Sequence, residues 1–246
     1  MSDGLTFSAH RRALMAGRHV RVVNYHNTVA SGRDALKAAL ATYAESFVPL
    51  SLADLDVFFA TGAWPDERPG FFPVFYEGFR NAYEVARPVC EELGLTGWFA
   101  ICTGFIDCPP AEQEVFARSH WLELAGEELD GRRLAMTWDE VADVAAEHVV
   151  FAHTANHTGI ADTVTDDHLH REVADSKLRL DAATGQNSAA FAWLWGSPYG
   201  SSPRHDDALR AAGYRYVVSN TMIQRINPPP GTARCDTHAA EAVPAR

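Results

Sequence analysis

Two patterns of apolar and polar positions alternate along the chain. Short runs rich in β-branched and aromatic residues read as strands: "HVRVVNY" (19–25), "FFPVFY" (71–76), "GWFAICTG" (97–104), "VVFAH" (149–153), "AAFAWLW" (189–195) and "YRYVVSN" (214–220). Between them lie stretches with apolar positions at helical spacing. The first, "GRDALKAALATYAESF" (32–47), sets Leu36, Leu40 and Tyr43 on one side. "SLADLDVFFATG" (51–62) opens on Ser51, an N-cap type, and stops at Gly62. "RNAYEVARPVCEELG" (80–94) closes on Gly94 and carries Pro88, which predicts a kink. Further helices are predicted over 110–126, over 137–148 with Thr137 and Glu140 spaced as a capping box, and over 166–185 and 204–213. Strand followed by helix, six or seven times, implies an α/β fold with a parallel sheet and covering helices. Ligands in such folds sit at the C-terminal ends of the strands.

The 246 residues, 47% hydrophobic and 22% charged, suffice for one large domain with a full core. We expect an N-terminal arm over 1–18, a barrel over 19–225 and a loosely ordered Pro/Ala-rich tail over 226–246. The net charge of −11 argues against nucleic acid and against an anionic membrane surface. No window approaches the ~18 apolar residues of a spanning helix, and the N-terminus lacks the apolar core of a secretory signal. The four cysteines, Cys90, Cys102, Cys108 and Cys235, form no C-x-x-C pair. Reduced, mostly buried thiols in a cytoplasmic protein is the expectation. A homo-oligomer is left open.

Chemistry-bearing residues gather just past the strand ends. His153 and His157 follow "VVFA" and stand four apart, so on a helix-like turn both imidazoles reach one divalent ion. Alone, such a pair in a chain with 11 histidines is weak; a solvated or capping pair is the plain alternative. Glu77, directly after "FFPVFY", adds a carboxylate, and two His with one carboxylate make a standard divalent site. His26, ending the first strand, is either functional or a satisfied loop histidine. Asp107, in "CTGFID", is either a base or an N-cap before "CPPAEQ". Trp193 to Trp195 reads as strand core with one ring, that of Trp195, lining the pocket. The "RHDD" cluster (204–207) reads as a solvated first helical turn.

The order and spacing of "VVNYHNT", "FYEGFRNAYEVARPVCEELGLTGWFAICTGFID", "MTWDEVADVAAEHVVFAHTANH", "WGSPYG" and "ALRAAGYRYVVSN" resemble the NodB-homology polysaccharide deacetylases, carbohydrate esterase family 4, over residues 20–220. The H-T-x-x-H element after its strand is the specific part. The resemblance implies a distorted (β/α) barrel with seven units and metal-dependent removal of an acyl group from an amide or ester, through a metal-bound water. It implies Glu77, His153 and His157 as metal ligands. The loop of Pro198, Tyr199 and Gly200 would bind substrate, offering a backbone N–H to an oxyanion. Two departures stand out. The family's first motif pairs a base aspartate with a ligand aspartate, and here Tyr76 and Glu77 occupy those positions. A phenol of ordinary pKa ≈ 10 is protonated at neutral pH. The family's arginine before "PYG" is also missing, and no Leu-x-x-His element is evident, His238 being the one histidine in the tail.

The expected activity is hydrolysis of a non-peptide C–N bond in an N-acetyl sugar or a small amide or imide, with zinc, iron, cobalt or nickel as cofactor. With Tyr76 in place of the base, Glu77 itself, the metal hydroxide or a neighbour such as Asp107 would take the proton, and Tyr76 would more easily donate a hydrogen bond to a developing oxyanion. A non-haem iron enzyme using the same two histidines and carboxylate, and a non-catalytic ligand-binding protein, are the competing expectations.

Overall fold

The computed structural model describes residues 20–61, 66, 68–129, 131–220, 222–226 and 238–244. The expected arm, residues 1–18, lies outside them, as does Cys235. Among the described residues nine strands form one sheet: β1 (Val20–Tyr25), β2 (Val48–Pro49), β3 (Gly70–Phe75), β4 (Trp98–Ile101), β5 (Val149–Ala152), β6 (Ala190–Phe191), β7 (Tyr216–Val218), β8 (Met222–Arg225) and β9 (His238–Pro244). All six residues of β1 pair in parallel with β3, and Val20 to Asn24 also pair with β9. One strand can do both only through opposite edges, so the sheet closes on itself. The wall runs β1, β3, β4, β5, β6, β7, β8, β9, with β8 antiparallel to both its neighbours. This is the expected distorted (β/α) barrel: seven parallel strands and one reversed. Residues 238–244, assigned to a loose tail by composition, instead supply the strand that closes it.

The strands from β3 to β7 are largely apolar because both faces of the wall are covered. Val20, Val22, Phe72, Val74, Trp98, Ala100, Phe151, Tyr216 and Val218 form an inner cluster. Their neighbours Val23, Tyr25, Phe71, Phe75, Phe99, Ile101, Val150 and Val217 join the helices in an outer one. The helices are α1 (Arg33–Ser46), α2 (Leu52–Thr61), α3 (Arg87–Glu92), α4 (Thr103–Asp107), α5 (Gln113–Ser119), α6 (Trp138–Glu147), α7 (Asp166–His170), α8 (Ser176–Thr184) and α9 (Pro203–Ala212). Leu55, Phe58 and Phe59 of α2 join the inner cluster instead. With Trp98 Nε1 donating to Leu50 O at 2.9 Å, they close the N-terminal end of the barrel. Among the described residues the opposite mouth stays open.

Local chemistry explains most boundaries. Ser51 and Asp54 cap α2 reciprocally, and Thr137 with Glu140 forms the predicted capping box on α6. Pro88 has no N–H for the carbonyl of Glu84, and the turn over Ala82–Ala86 widens to a π-turn where the kink was expected. Three expectations need correction. The helix predicted over 110–126 ends at Ser119, because Trp121 turns to φ 61° and the chain then runs extended toward the barrel mouth. The strand predicted over 189–195 ends at Phe191, and Trp195 sits at φ 67°. In "RHDD", His205 and Asp206 are buried rather than solvated. Thr163 Oγ1 and Ser202 Oγ hydrogen bond the His205 ring at 2.6 and 2.7 Å, and Asp206 accepts the Gly200 N–H at 3.1 Å. Among the described residues no helix is long and apolar enough to cross a membrane, and Cys90, Cys102 and Cys108 are unpaired.

Candidate active site

Three inward-facing series run out at the open mouth. Period two carries Val20 and Val22 to Asn24, Phe72 and Val74 to Tyr76, and Val149 and Phe151 to His153. These three residues line one cavity of about 290 Å³, with His26, Glu77, Trp121, Glu123, His157, Trp193 and Trp195. Glu77 is brought in by its backbone: at φ 69° the chain turns left-handed directly after Tyr76, and Gly78 continues at φ 88°. A Cβ on Gly78 would also meet Ile106 Cδ1 at 2.9 Å. His157 enters at φ 53°. Of the five non-glycine residues with positive φ among the described residues, Glu77, Trp121, His157 and Trp195 line this cavity. Such conformations are costly and persist where surroundings enforce them, commonly at functional sites.

Glu77, His153 and His157 are buried, and their donor atoms lie within 4.8 Å of one another. His153 Nδ1 donates to Ala192 O at 2.9 Å, a carbonyl left free because β6 has already ended. His157 Nδ1 donates to His120 O at 2.6 Å. Both imidazoles therefore turn Nε2 inward, and His157 Nε2 lies 3.6 Å from Glu77 Oε1. Burial lowers both histidine pKa values, that of His153 well below its ordinary value with the charge of His157 adding to the effect. They are neutral, which is the form that binds metal. Glu77 Oε1 accepts from His26 Nδ1 at 2.8 Å, whereas its buried Oε2 has no hydrogen-bond partner. A buried carboxylate oxygen with no partner is costly. A buried carboxylate with one unpartnered oxygen, clustered with two inward Nε2 atoms, is a donor set that fits a divalent cation.

Tyr76 stacks on His26 with centroids 5.2 Å apart and meets the edge of His153 at 5.0 Å. Burial, then the charge of Glu77, pushes the phenol pKa up, so Tyr76 is a neutral donor. His26 is half-exposed on the rim. Burial lowers its pKa, but the hydrogen bond and charge of Glu77, with Glu123 adding, raise it overall.

The other predicted residues divide sharply. Trp195 lines the cavity, 69% exposed, while Trp193 is core that also reaches the lining. Pro198, Tyr199 and Gly200 do not line it. The Gly200 N–H is spent on Asp206, and the Tyr199 hydroxyl accepts from Arg210 at 3.0 Å. Asp107 is neither at the cavity nor a cap: it accepts from Trp138 Nε1 at 2.7 Å and pairs with Arg179 at 2.9 Å. Sequence reasoning missed Asn24, Trp121 and Glu123. Asn24 was legible from the alternation of its strand; Trp121 and Glu123 fell inside a stretch patterned as helix.

No protein-family model matches the chain. A gellan lyase from a Bacillus species is 26% identical over 136 residues, 54% of this chain but 4% of that protein, so the chain spans a small part of that relative's length. Solved structures match over nearly the whole chain. IcaB from Ammonifex degensii superposes with a TM-score of 0.65 and 16% identity, covering 93% of this chain and 92% of that one. The Streptococcus pyogenes deacetylase PplD in complex with acetate gives 0.63 and 15%, covering 91% of each. BC0361, a polysaccharide deacetylase from Bacillus cereus, gives 0.58 and 16%, covering 85% and 61%. The fold is the NodB-like deacetylase barrel.

Proposed function

We propose that this protein hydrolyses an N-acyl amide bond, with an N-acetyl sugar as substrate, at a divalent metal held by Glu77, His153 and His157. The observation that supports it most is the buried cluster of Glu77, His153 and His157, whose donor atoms lie within 4.8 Å of one another and in which Glu77 keeps one oxygen without a hydrogen-bond partner. The shape of the mouth favours a sugar over a small imide. The central cavity continues past Asn24, His26 and Glu123 into a hollow of about 430 Å³, and past Trp121, His157 and Trp195 into one of about 510 Å³. Exposed tryptophans at such a groove offer flat apolar faces to sugar rings.

A divalent cation bound there supplies Lewis-acid polarisation of the acyl oxygen and lowers the pKa of a water. The chain's own groups do the rest. Tyr76, kept protonated, cannot take the family's base role; its O–H is a donor suited to developing negative charge. His26, oriented by Glu77 and by stacking on Tyr76, is a titratable group at the rim that can take a proton from the attacking water and return it to the departing amine. Water adds to the acyl carbon, the C–N bond breaks, and carboxylic acid and amine leave.

The test is elemental analysis of protein purified without chelators, followed by acetate release from chito-oligosaccharides by the parent and His153→Ala. Bound metal with acetate release that His153→Ala abolishes supports the reading. Metal-free protein, or undiminished release by the variant, sinks it; bound iron with oxygen consumption redirects it to the non-haem iron chemistry.

A further inference from the structure

We infer that Glu172 is a positioning residue for this centre: acting through Asn156, it fixes the turn from which His157 presents Nε2. The inference rests on the metal reading above. Glu172 is 0% exposed and spends both oxygens on one residue. Its Oε2 accepts the Asn156 N–H at 2.8 Å, and its Oε1 accepts Asn156 Nδ2 at 2.7 Å. His168 Nε2 approaches Oε1 at 3.4 Å. Asn156 is the immediate neighbour of His157.

The turn needs such a clamp. Thr154 at φ 63° and His157 at φ 53° are both left-handed without being glycine, so the segment between the two histidines is poised to relax. Thr154 Oγ1 accepts the Thr158 N–H at 2.9 Å, and Ala155 O accepts the Gly104 N–H at 2.7 Å. Neither reaches the Asn156 N–H; Glu172 does. The neighbouring structure is shaped around this contact. A Cβ on Gly104 would meet Asn156 Oδ1 at 2.5 Å and Ala155 O at 2.8 Å, so only glycine lets α4 lie against the turn. Glu172 itself projects from a π-turn, Arg171–Asp175, that interrupts the run from α7 to α8. Single π-turns inside helices recur at functional sites. A buried carboxylate is a poor device for stability alone, since apolar packing serves the fold as well. His120 O sets the rotation of the His157 ring; Glu172 sets the backbone that carries it.

The experiment compares the parent, Asn156→Ala, Glu172→Gln, the double variant and His153→Ala. Metal-free protein is titrated with Zn²⁺ against a chromophoric chelator, and the visible spectrum of each Co²⁺ form is recorded. Asn156→Ala and Glu172→Gln are each expected to weaken Zn²⁺ binding about ten- to a hundred-fold and to shift the Co²⁺ spectrum, while thermal unfolding of the metal-free protein stays cooperative. The double variant is expected to be no worse than the weaker single one, because the two residues act as a unit. Should Glu172→Gln fail to fold, Asn156→Ala decides, its site being partly exposed. Parent-like Zn²⁺ affinity and Co²⁺ spectrum in folded Asn156→Ala, with binding lost in His153→Ala, overturns this inference alone. A parent that binds no Zn²⁺, or binding that survives His153→Ala, overturns the metal centre and this inference with it.

Discussion

His26 Nδ1 donates to Glu77 Oε1 at 2.8 Å, which ties the titratable group at the rim to the buried carboxylate of the candidate centre. Replacing His26 by Ala should leave metal content near that of the parent, since His26 is not among the three inward donors. The turnover number should fall about 10²- to 10⁴-fold, the usual loss of a general acid–base group. Steady-state kinetics with elemental analysis checks both halves, and an unchanged kcat removes His26 from the proposed chemistry.

Tyr76→Phe distinguishes a donor from a base. Burial holds the phenol protonated, so the variant loses a donor to developing negative charge, and kcat should fall about 10²- to 10³-fold with the pH dependence of kcat/KM unchanged. Loss of a limb of that pH profile in the variant would mean that the phenol does transfer the proton.

The barrel was legible in the sequence because most strands are short apolar runs and several helices are bounded by a residue with a mechanism, such as Thr137, Gly185 or Gly213. The metal donors were legible because His153 continues the inward series of β5. What stayed hidden depends on backbone conformations that no local residue announces. Trp121 breaks its predicted helix at positive φ with no glycine or proline beside it, and the predicted strand stops at Phe191, four residues short of Trp195. Asp107 was placed near the mouth by its position after a strand and the 198–200 loop by the family resemblance, and their partners Arg179, Trp138 and Asp206 are distant in sequence or fell in a segment read as solvated.

Metal removal should read out as stability. A cation at a thousand times its Kd adds about 4 kcal/mol to the folded state. At roughly 2–4 °C per kcal/mol for a chain of this size, chelation should lower Tm by about 10 °C. His153→Ala should melt at one temperature with and without chelator. Scanning calorimetry of both proteins checks this, and an equal chelator effect on the variant would place the ion elsewhere.

Acid should weaken the fold through His148. Its ring is buried and its Nδ1 accepts the Gly97 N–H at 3.2 Å, so the folded state holds it neutral and burial lowers its pKa. The unfolded chain titrates near the ordinary value of about 6.5. Above that value both states are neutral and the contribution is complete; as the pH falls below it the unfolded state takes the proton first, and stability is lost down through the depressed folded value. His148→Gln keeps an acceptor for Gly97 without the titration. Urea unfolding from about pH 7.5 to about pH 5 should show the parent losing more stability than the variant.

The two rim tryptophans should separate stability from binding. Trp121 is 74% exposed at φ 61°, so its side chain contributes little to the core while its backbone carries a left-handed cost of about 1–2 kcal/mol. Both Trp121→Ala and Trp121→Gly remove the same exposed ring, but only glycine relieves the backbone. Part of that relief is offset by the extra freedom glycine gives the unfolded chain. Trp121→Gly should therefore be more stable than Trp121→Ala by about 1 kcal/mol in urea unfolding. If the ring is a platform for substrate, both variants should raise KM for chito-oligosaccharides by a similar factor with kcat little changed, because a contact made equally in ground and transition states affects binding alone. A fall in kcat at unchanged KM would instead put Trp121 among the groups that shape the reacting centre.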